Sequence, residues 1–440
     1  MAAINLSKVK FTKNSDKVIN NGAIFNPVGS EVKTLGGNDE IIGNSTIRAI
    51  FFDELSVELI TEDLGVSPVE LIGQASVRAT GINNQGRIYT NQGRDVLKGT
   101  ATAEVTAILE TVTQAIAIAN EFDAIAIADV FASLETDAIA NGIVNSGIIN
   151  TGNGSDTVKG ETTGSIYAAA IAKSDATAIV DAIATSTYSE GLIAFSQAVT
   201  QSLSKATIQA TGINNVGGKI TTSKGGDTVS AVATSESATY AESSSSTLAS
   251  ASPNNLALAL AVADAIAEAE DKAIAINNNK GSINLGLGSD TLKATANATG
   301  TAIAINNVQG VIEAGYGNDT IKAYATGSKS YGIFGGSVET GDGNDRVEAS
   351  SFGGGVNIDM GKGNDVVKGF GNATINGGFG FDTLSLGSYS LDDFKISFGT
   401  KHNKAVFELN DIIMSTSRFE QFKFDNGSLT LSYNQLVDAV

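Results

Sequence analysis

The residues that could do chemistry in this chain are aspartates set at a fixed distance behind paired glycines. The pattern is Gly-x-Gly-x-Asp, followed two positions on by an apolar residue. It occurs at Gly152, Gly154 and Asp156, and again at Gly286, Gly288 and Asp290. It returns at Gly315, Gly317 and Asp319, at Gly341, Gly343 and Asp345, at Gly361, Gly363 and Asp365, and at Gly378, Gly380 and Asp382. Degenerate copies end in Asp39, Asp95 and Asp227, where Leu35, Asn91 and Ser223 replace the first glycine. Glycine at fixed places signals tight turns, which leave backbone carbonyls available. Carboxylates and carbonyls are hard oxygen donors, the ligands that Ca²⁺ collects six to eight at a time. Stacked aspartates repel unless a cation lies between them. The alternative is that each aspartate merely accepts hydrogen bonds from turn N–H groups.

Composition narrows the remaining chemistry. The 440 residues include no cysteine and one histidine, His402, so thiolate sites and histidine clusters are excluded. A Ser-His-Asp triad would depend on that single histidine. Asp plus Glu number 47 against 28 Lys plus Arg, a net charge of −19, which argues against a nucleic-acid partner. No run is long and apolar enough to span a membrane. Lysines 8, 10 and 13 interrupt the N-terminus, so no cleavable signal peptide is expected there.

The turns need strands to carry them. Gly81-Ile82-Asn83-Asn84 matches Gly212-Ile213-Asn214-Asn215, Ala275-Ile276-Asn277-Asn278 and Ala304-Ile305-Asn306-Asn307, with Gly142-Ile143-Val144-Asn145 as a variant. The unit reads as strand, Gly turn, strand, Gly-x-Gly-x-Asp turn, strand. Its aligned asparagines form either a ladder between stacked coils or ordinary turns. Alanine takes nearly every odd position from Ala257 to Ala275. Alanine favours helix, but a period of two predicts strands. From Asp39 the aspartates are spaced 56, 61, 71, 63, 29, 26, 20 and 17 residues apart. The long intervals are expected to hold two or more coils apiece, giving about a dozen coils and a rod of order 60 Å. Residues 44–78, with Phe51-Phe52, read as a cap or insertion. Residues 201–251 read as a mobile loop or polar strands.

The turn resembles the calcium-binding repeat of the RTX, or haemolysin-type, family, most specifically over residues 284–386. That resemblance implies a right-handed parallel β-solenoid (all-β, β-roll-like) with a small C-terminal capping segment. It implies Ca²⁺ held by Asp156, Asp290, Asp319, Asp345, Asp365 and Asp382 together with their turn glycines. The sequence departs from the family where Leu285, Ala314, Thr340 and Met360 stand in place of the first glycine of the doublet. The segment Phe419–Leu431 looks like the closing segment of RTX proteins, and the extreme C-terminus like their uncleaved type I secretion signal. The expected organisation is 1–80, an N-terminal cap and irregular repeat; 81–283, an Ala-rich solenoid with long repeats; 284–386, the calcium-binding solenoid; and 387–440, the cap.

Three functions fit these features. The first is a secreted, calcium-dependent structural protein of a surface layer, sheath, fibre or extracellular matrix, self-associating into homo-oligomers or filaments and exported by type I machinery. The second is an adhesin whose solenoid faces bind polysaccharide. The third is a carboxylate-dependent polysaccharide-degrading enzyme or a toxin. No catalytic residue stands out from the repeat, so no enzymatic activity is expected.

Overall fold

The computed structural model describes every residue except 1, 62–63, 120–122, 181–192 and 252–255. It is a parallel β-solenoid with an antiparallel C-terminal cap. Successive coils add one strand to a 12-stranded sheet and, over most of the column, two strands in separate ladders to a 20-stranded sheet, with parallel pairing between coils. Three apolar ladders fill the column. One runs Ile24, Ile82, Ile143, Ile213, Ile276, Ile305 and Ile333. A second runs from Val32 through Ile88, Ile149, Ile220, Ile283 and Ile312 to Val338. The third runs from Ile41 through Leu97, Val158, Val229, Leu292, Ile321, Val347 and Val367 to Leu384. β-Branched residues recur because each packs on its equivalent one coil away.

The Ala-rich segments are strands, as their period of two requires. Eight of them are long: β1 (Glu40–Thr61), β2 (Leu64–Asn84), β3 (Val96–Ala119), β4 (Ala124–Asn145), β5 (Thr157–Val180), β6 (Ile193–Asn214), β7 (Thr228–Ala251) and β8 (Leu256–Asn277). Odd-numbered strands lie in one sheet and even-numbered strands in the other. Each pair leaves the column in one sheet and returns in the other, so four long coils form a flat two-sheet blade. At ~3.3 Å per residue it reaches roughly 60 Å beyond the column.

This overturns the expectation of several coils per long interval. Hydrogen-bonded aspartates are 56, 61, 71, 63, 29, 26, 20 and 17 residues apart, so each interval is one coil. The surplus residues lengthen strands rather than adding turns. The column is accordingly shorter than a dozen coils imply. Residues 44–78 are no insertion either: β1 and β2 pair in register with β3 and β4. The first long coil therefore begins within residues 1–80, expected to hold an N-terminal cap and an irregular repeat. Residues 201–251 are strands over almost their whole length.

Alanine predominates in the blade interior, with Ala101, Ala103, Ala107, Ala126, Ala128, Ala132, Ala168 and Ala170 all fully buried. Val105, Leu109, Val130, Leu134, Ile166 and Ile208 are buried among them, yet Cα atoms of facing strands come within 8 Å. That is closer than the ~10 Å usual for stacked sheets. Buried hydroxyls of Thr111, Thr113 and Ser174, without hydrogen-bond partners among the described residues, separate two alanine clusters.

Two asparagine ladders brace the column. Asn26, Asn84, Asn145, Asn215, Asn278 and Asn307 are buried, each amide donating to the next residue's Oδ1 at 2.6–2.7 Å. Asn306 donates to Asn277 and Asn277 to Asn214, in the opposite direction. At the C-terminal end, strands Lys395–Phe398, Ala405–Leu409 and Ile412–Ser417 form an antiparallel sheet. Phe407, Phe419, Phe422 and Phe424 are buried beneath it. Asp392-Asp393 belongs to a capping turn, where Asp393 accepts from the Ser390 N–H at 2.7 Å. The helix Tyr433–Ala439 follows, capped by Ser432 and Gln435. The bulky cap ends the column where an open strand edge would otherwise remain.

Candidate metal centre

Every Gly-x-Gly-x-Asp turn lies at the same corner of its coil, so the motif aspartates form one column. Asp156, Asp290, Asp319, Asp345, Asp365 and Asp382 are brought together there. So are Asp39, Asp95 and Asp227 from the degenerate turns, and all nine are at most 1% exposed. The missing first glycine does not remove a turn from the column.

The main-chain hydrogen bonds explain the burial. The N–H of Asp39, Asp95, Asp156, Asp227, Asp290, Asp319, Asp345 and Asp365 each donates to Oδ1 of the next aspartate, at 2.7–2.9 Å. The aspartate carbonyls accept from the next coil as well, Thr320 N–H to Asp290 at 2.9 Å for example. Two rungs escaped the sequence reading. Asp16 opens the column by donating its N–H to Asp39 Oδ1 at 2.8 Å. Glu420 closes it, its Oε2 accepting from the Asp382 N–H at 2.8 Å. Asp16 sits directly before a strand, as the other aspartates do, which was the available signal. Glu420 follows no Gly-x-Gly and left no such signal.

Outside the column a second set of bonds runs the other way. Asn38, Asn318, Asn344 and Asn364 each accept, through Oδ1, from an N–H of the following coil at 2.7–2.8 Å. Each of these turns is thus clamped to its successor from both sides.

The glycines are required by contact between coils. Gly317 has φ +128°, and a Cβ there would lie 1.7 Å from the Gly288 carbonyl oxygen. The same close approach repeats at Gly154, Gly225, Gly288, Gly343, Gly363 and Gly380. Among the described residues, these second-glycine carbonyls accept no hydrogen bond from an N–H group. Gly152, Gly286, Gly341 and Gly361 instead use their carbonyls as acceptors between coils. Gly315 and Gly378 have positive φ and close the same turn.

The carboxylates are only half satisfied. Oδ2 of all nine aspartates is buried with no hydrogen-bond partner among the described residues. For Asp95, Asp156, Asp227, Asp290, Asp319, Asp345, Asp365 and Asp382 burial is the largest cause raising the proton affinity, opposed by the N–H bond at Oδ1. Asp290 and Asp365 are pushed up to about 7, and Asp156, Asp319 and Asp382 to about 6. Asp95, Asp227 and Asp345 are raised as well, and beside them stand the hydroxyls of Thr90, Thr222 and Thr340. Those hydroxyls donate to carbonyls of the next coil, so their single protons are not available to the carboxylates. Leu285 and Met360 occupy the corresponding place beside Asp290 and Asp365, the two most strongly shifted.

The calcium implied by the motif can be tested against these atoms. Each turn supplies one buried anionic oxygen without a partner, and most also supply a carbonyl oxygen free of N–H donors. That donor chemistry suits a hard divalent cation and no thiophilic metal. Among the described residues no three acidic or histidine side chains converge. A cation between turns would therefore take its carboxylates from adjacent coils and its remaining ligands from the backbone.

No protein-family model matches the sequence, and no curated protein matches it. Among solved structures the chain is similar to a hyperactive, Ca²⁺-dependent, beta-helical antifreeze protein from an Antarctic bacterium. The two are 14% identical with a TM-score of 0.23, over 98% of this chain and 93% of that one.

Proposed function

We propose that this chain is a calcium-stabilised structural solenoid that works outside the cell and associates with copies of itself. The observation that carries the calcium reading is the column of buried aspartates, each with one carboxylate oxygen left without a partner. An isolated buried carboxylate is costly, and a run of them at successive coils is costlier. Calcium held by Asp156, Asp290, Asp319, Asp345, Asp365 and Asp382, with carbonyls of their turn glycines, offsets both the desolvation and the mutual repulsion. Asp39, Asp95 and Asp227 join that set, because they share the geometry. At the low calcium levels inside a cell the acidic chain stays loosely folded. In calcium-rich surroundings binding adds directly to the stability of the coiled form. This fits export by type I machinery and a role as scaffold rather than catalyst.

The test is calcium titration of the full chain by calorimetry, beside circular dichroism in calcium and in chelator. Binding of several ions with a large gain in β-structure or melting temperature is expected. A chain with identical spectra and melting curves in both conditions overturns the calcium reading. Sedimentation in millimolar calcium tests self-association separately.

A further inference from the structure

The blade has two long edges on which strands lack neighbours. On the N-terminal side β1 is paired only over Glu40–Gly43, with strand Lys17–Asn20. β2 is paired there only over Ile82–Asn84, with strand Ile24–Asn26. Among the described residues, 44–61 and 64–81 therefore present unpaired main-chain groups on this side for about 60 Å, in two layers. Ile50 is 85% exposed, Phe52 62%, Ile60 62% and Ile72 59% along this edge. Long, flat, apolar edges pair with other chains unless something prevents it.

We propose that this edge pairs with the same edge of a second copy across a two-fold axis, forming an isologous dimer. The inference deepens the self-association reading and rests on it.

Three observations fix the partner and its orientation. The first is steric. The column continues past the blade on both sides, through strands at 17–33 before it and 282–432 after it. A copy translated along the axis would place its column in the space of the first. A copy turned about an axis through the two sheets places its column beyond the tip of the partner's blade. The second is symmetry: this rotation brings β1 against β1 and β2 against β2, antiparallel, with each root facing a tip. The third is charge. Arg48 and Arg78 lie in the root halves, whereas Asp53, Glu54, Glu58 and Glu70 lie in the tip halves. The two-fold sets basic roots against acidic tips, and the unrotated arrangement sets like on like. Arg48 already meets Glu104 of its own blade at 2.5 Å but keeps 69% of its side chain exposed.

The opposite edge lacks this pattern. On β7 and β8 the acids Glu236, Glu242, Asp264, Glu268, Glu270 and Asp271 concentrate toward the root, beside Lys272 alone. Pro68 on β2 costs the proposed ladder one N–H donor, a place for a bulge rather than a break.

The experiment uses the full chain in millimolar calcium. Sedimentation at several concentrations should give a dimer. The chain has no cysteine, so single substitutions report position directly. The unpaired stretches centre beside Phe52 and Ile72, so Phe52→Cys and Ile72→Cys should each cross-link to themselves on mild oxidation. Leu258→Cys, on the opposite edge, should remain uncoupled. Arg48→Glu with Arg78→Glu should weaken the dimer at least about tenfold. All these sites are exposed, and circular dichroism confirms that each variant folds. Oligomers that form without coupling at Phe52→Cys and Ile72→Cys overturn this inference and leave self-association standing. So does coupling only in mixtures with Leu258→Cys. A monomer at every concentration overturns both.

Discussion

An aspartate whose Oδ1 already accepts a main-chain proton differs from an asparagine in its place only through its second oxygen. That oxygen carries the chemistry of this column. Asp319→Asn keeps an acceptor for the Asp290 N–H and removes one buried charge. In chelator at pH 8 the variant should melt no lower than the parent, and in millimolar calcium it should gain less from the metal. An undiminished calcium-induced rise in melting temperature would remove Asp319 from the ligand set. Proton affinity gives a second expectation. The folded-state values of Asp290 and Asp365, about 7, lie well above that of an unfolded aspartate, near 4. Their folded form holds protons that the unfolded chain releases, so without metal their contribution to stability is greatest below about pH 4 and declines as pH rises through 7. Calcium binds the ionised form, so the decline should flatten or reverse when it is present. Melting curves between pH 4.5 and 8, with and without calcium, measure this; a pH-independent melting temperature in chelator would contradict it. The aspartates themselves were legible in the sequence from their glycines. Their hydrogen-bond donors were not, because those belong to coils 17 to 71 residues away.

At the scale of the strand, the alternation of alanine identified β-structure against alanine's helical preference. The same alternation sets what the blade tolerates. Ala168 is fully buried between sheets whose Cα atoms come within 8 Å. Ala168→Leu should cost about 1–3 kcal/mol by forcing the sheets apart. Denaturant titration would show the loss, and the column should remain folded. In the turns, Gly317→Ala meets both a positive φ and a carbonyl oxygen 1.7 Å from the new methyl group. The loss there should exceed about 2 kcal/mol, and Gly387→Ala, where nothing lies within 4 Å, should cost less. Equal losses at the two glycines would show that coil contact does not limit the turn. Residues 44–78 of the first long coil read as a cap or insertion because Phe51-Phe52 and the acidic residues break the alanine pattern. Register is carried by main-chain pairing, which composition does not display.

For the whole molecule, the sequence foretold a solenoid but not its outline. Motif spacing measures residues per coil, and a long interval is equally consistent with several small coils or one wide one. Choosing between them requires knowing which residues lie side by side. The 17- and 71-residue coils turn out to occupy the same one-strand step along the axis. Stability is thus distributed unevenly. Short coils bury bulky isoleucine and phenylalanine, and long ones add alanine-lined area whose two outer edges face solvent.

A column whose steps are equal while its loops of chain are not would announce itself under tension. Held by its two ends and pulled along the axis, it should yield coil by coil, each rupture releasing a length set by the residues stored in that coil. At about 3.5 Å per residue, the shortest coil yields roughly 60 Å and the longest roughly 250 Å. Single-molecule stretching should therefore show two classes of sawtooth, the small ones from the C-terminal coils and the large ones from the blade. Calcium should raise the force of each rupture without altering its length. The molecule would act as an extensible tether whose slack is stored in its widest turns.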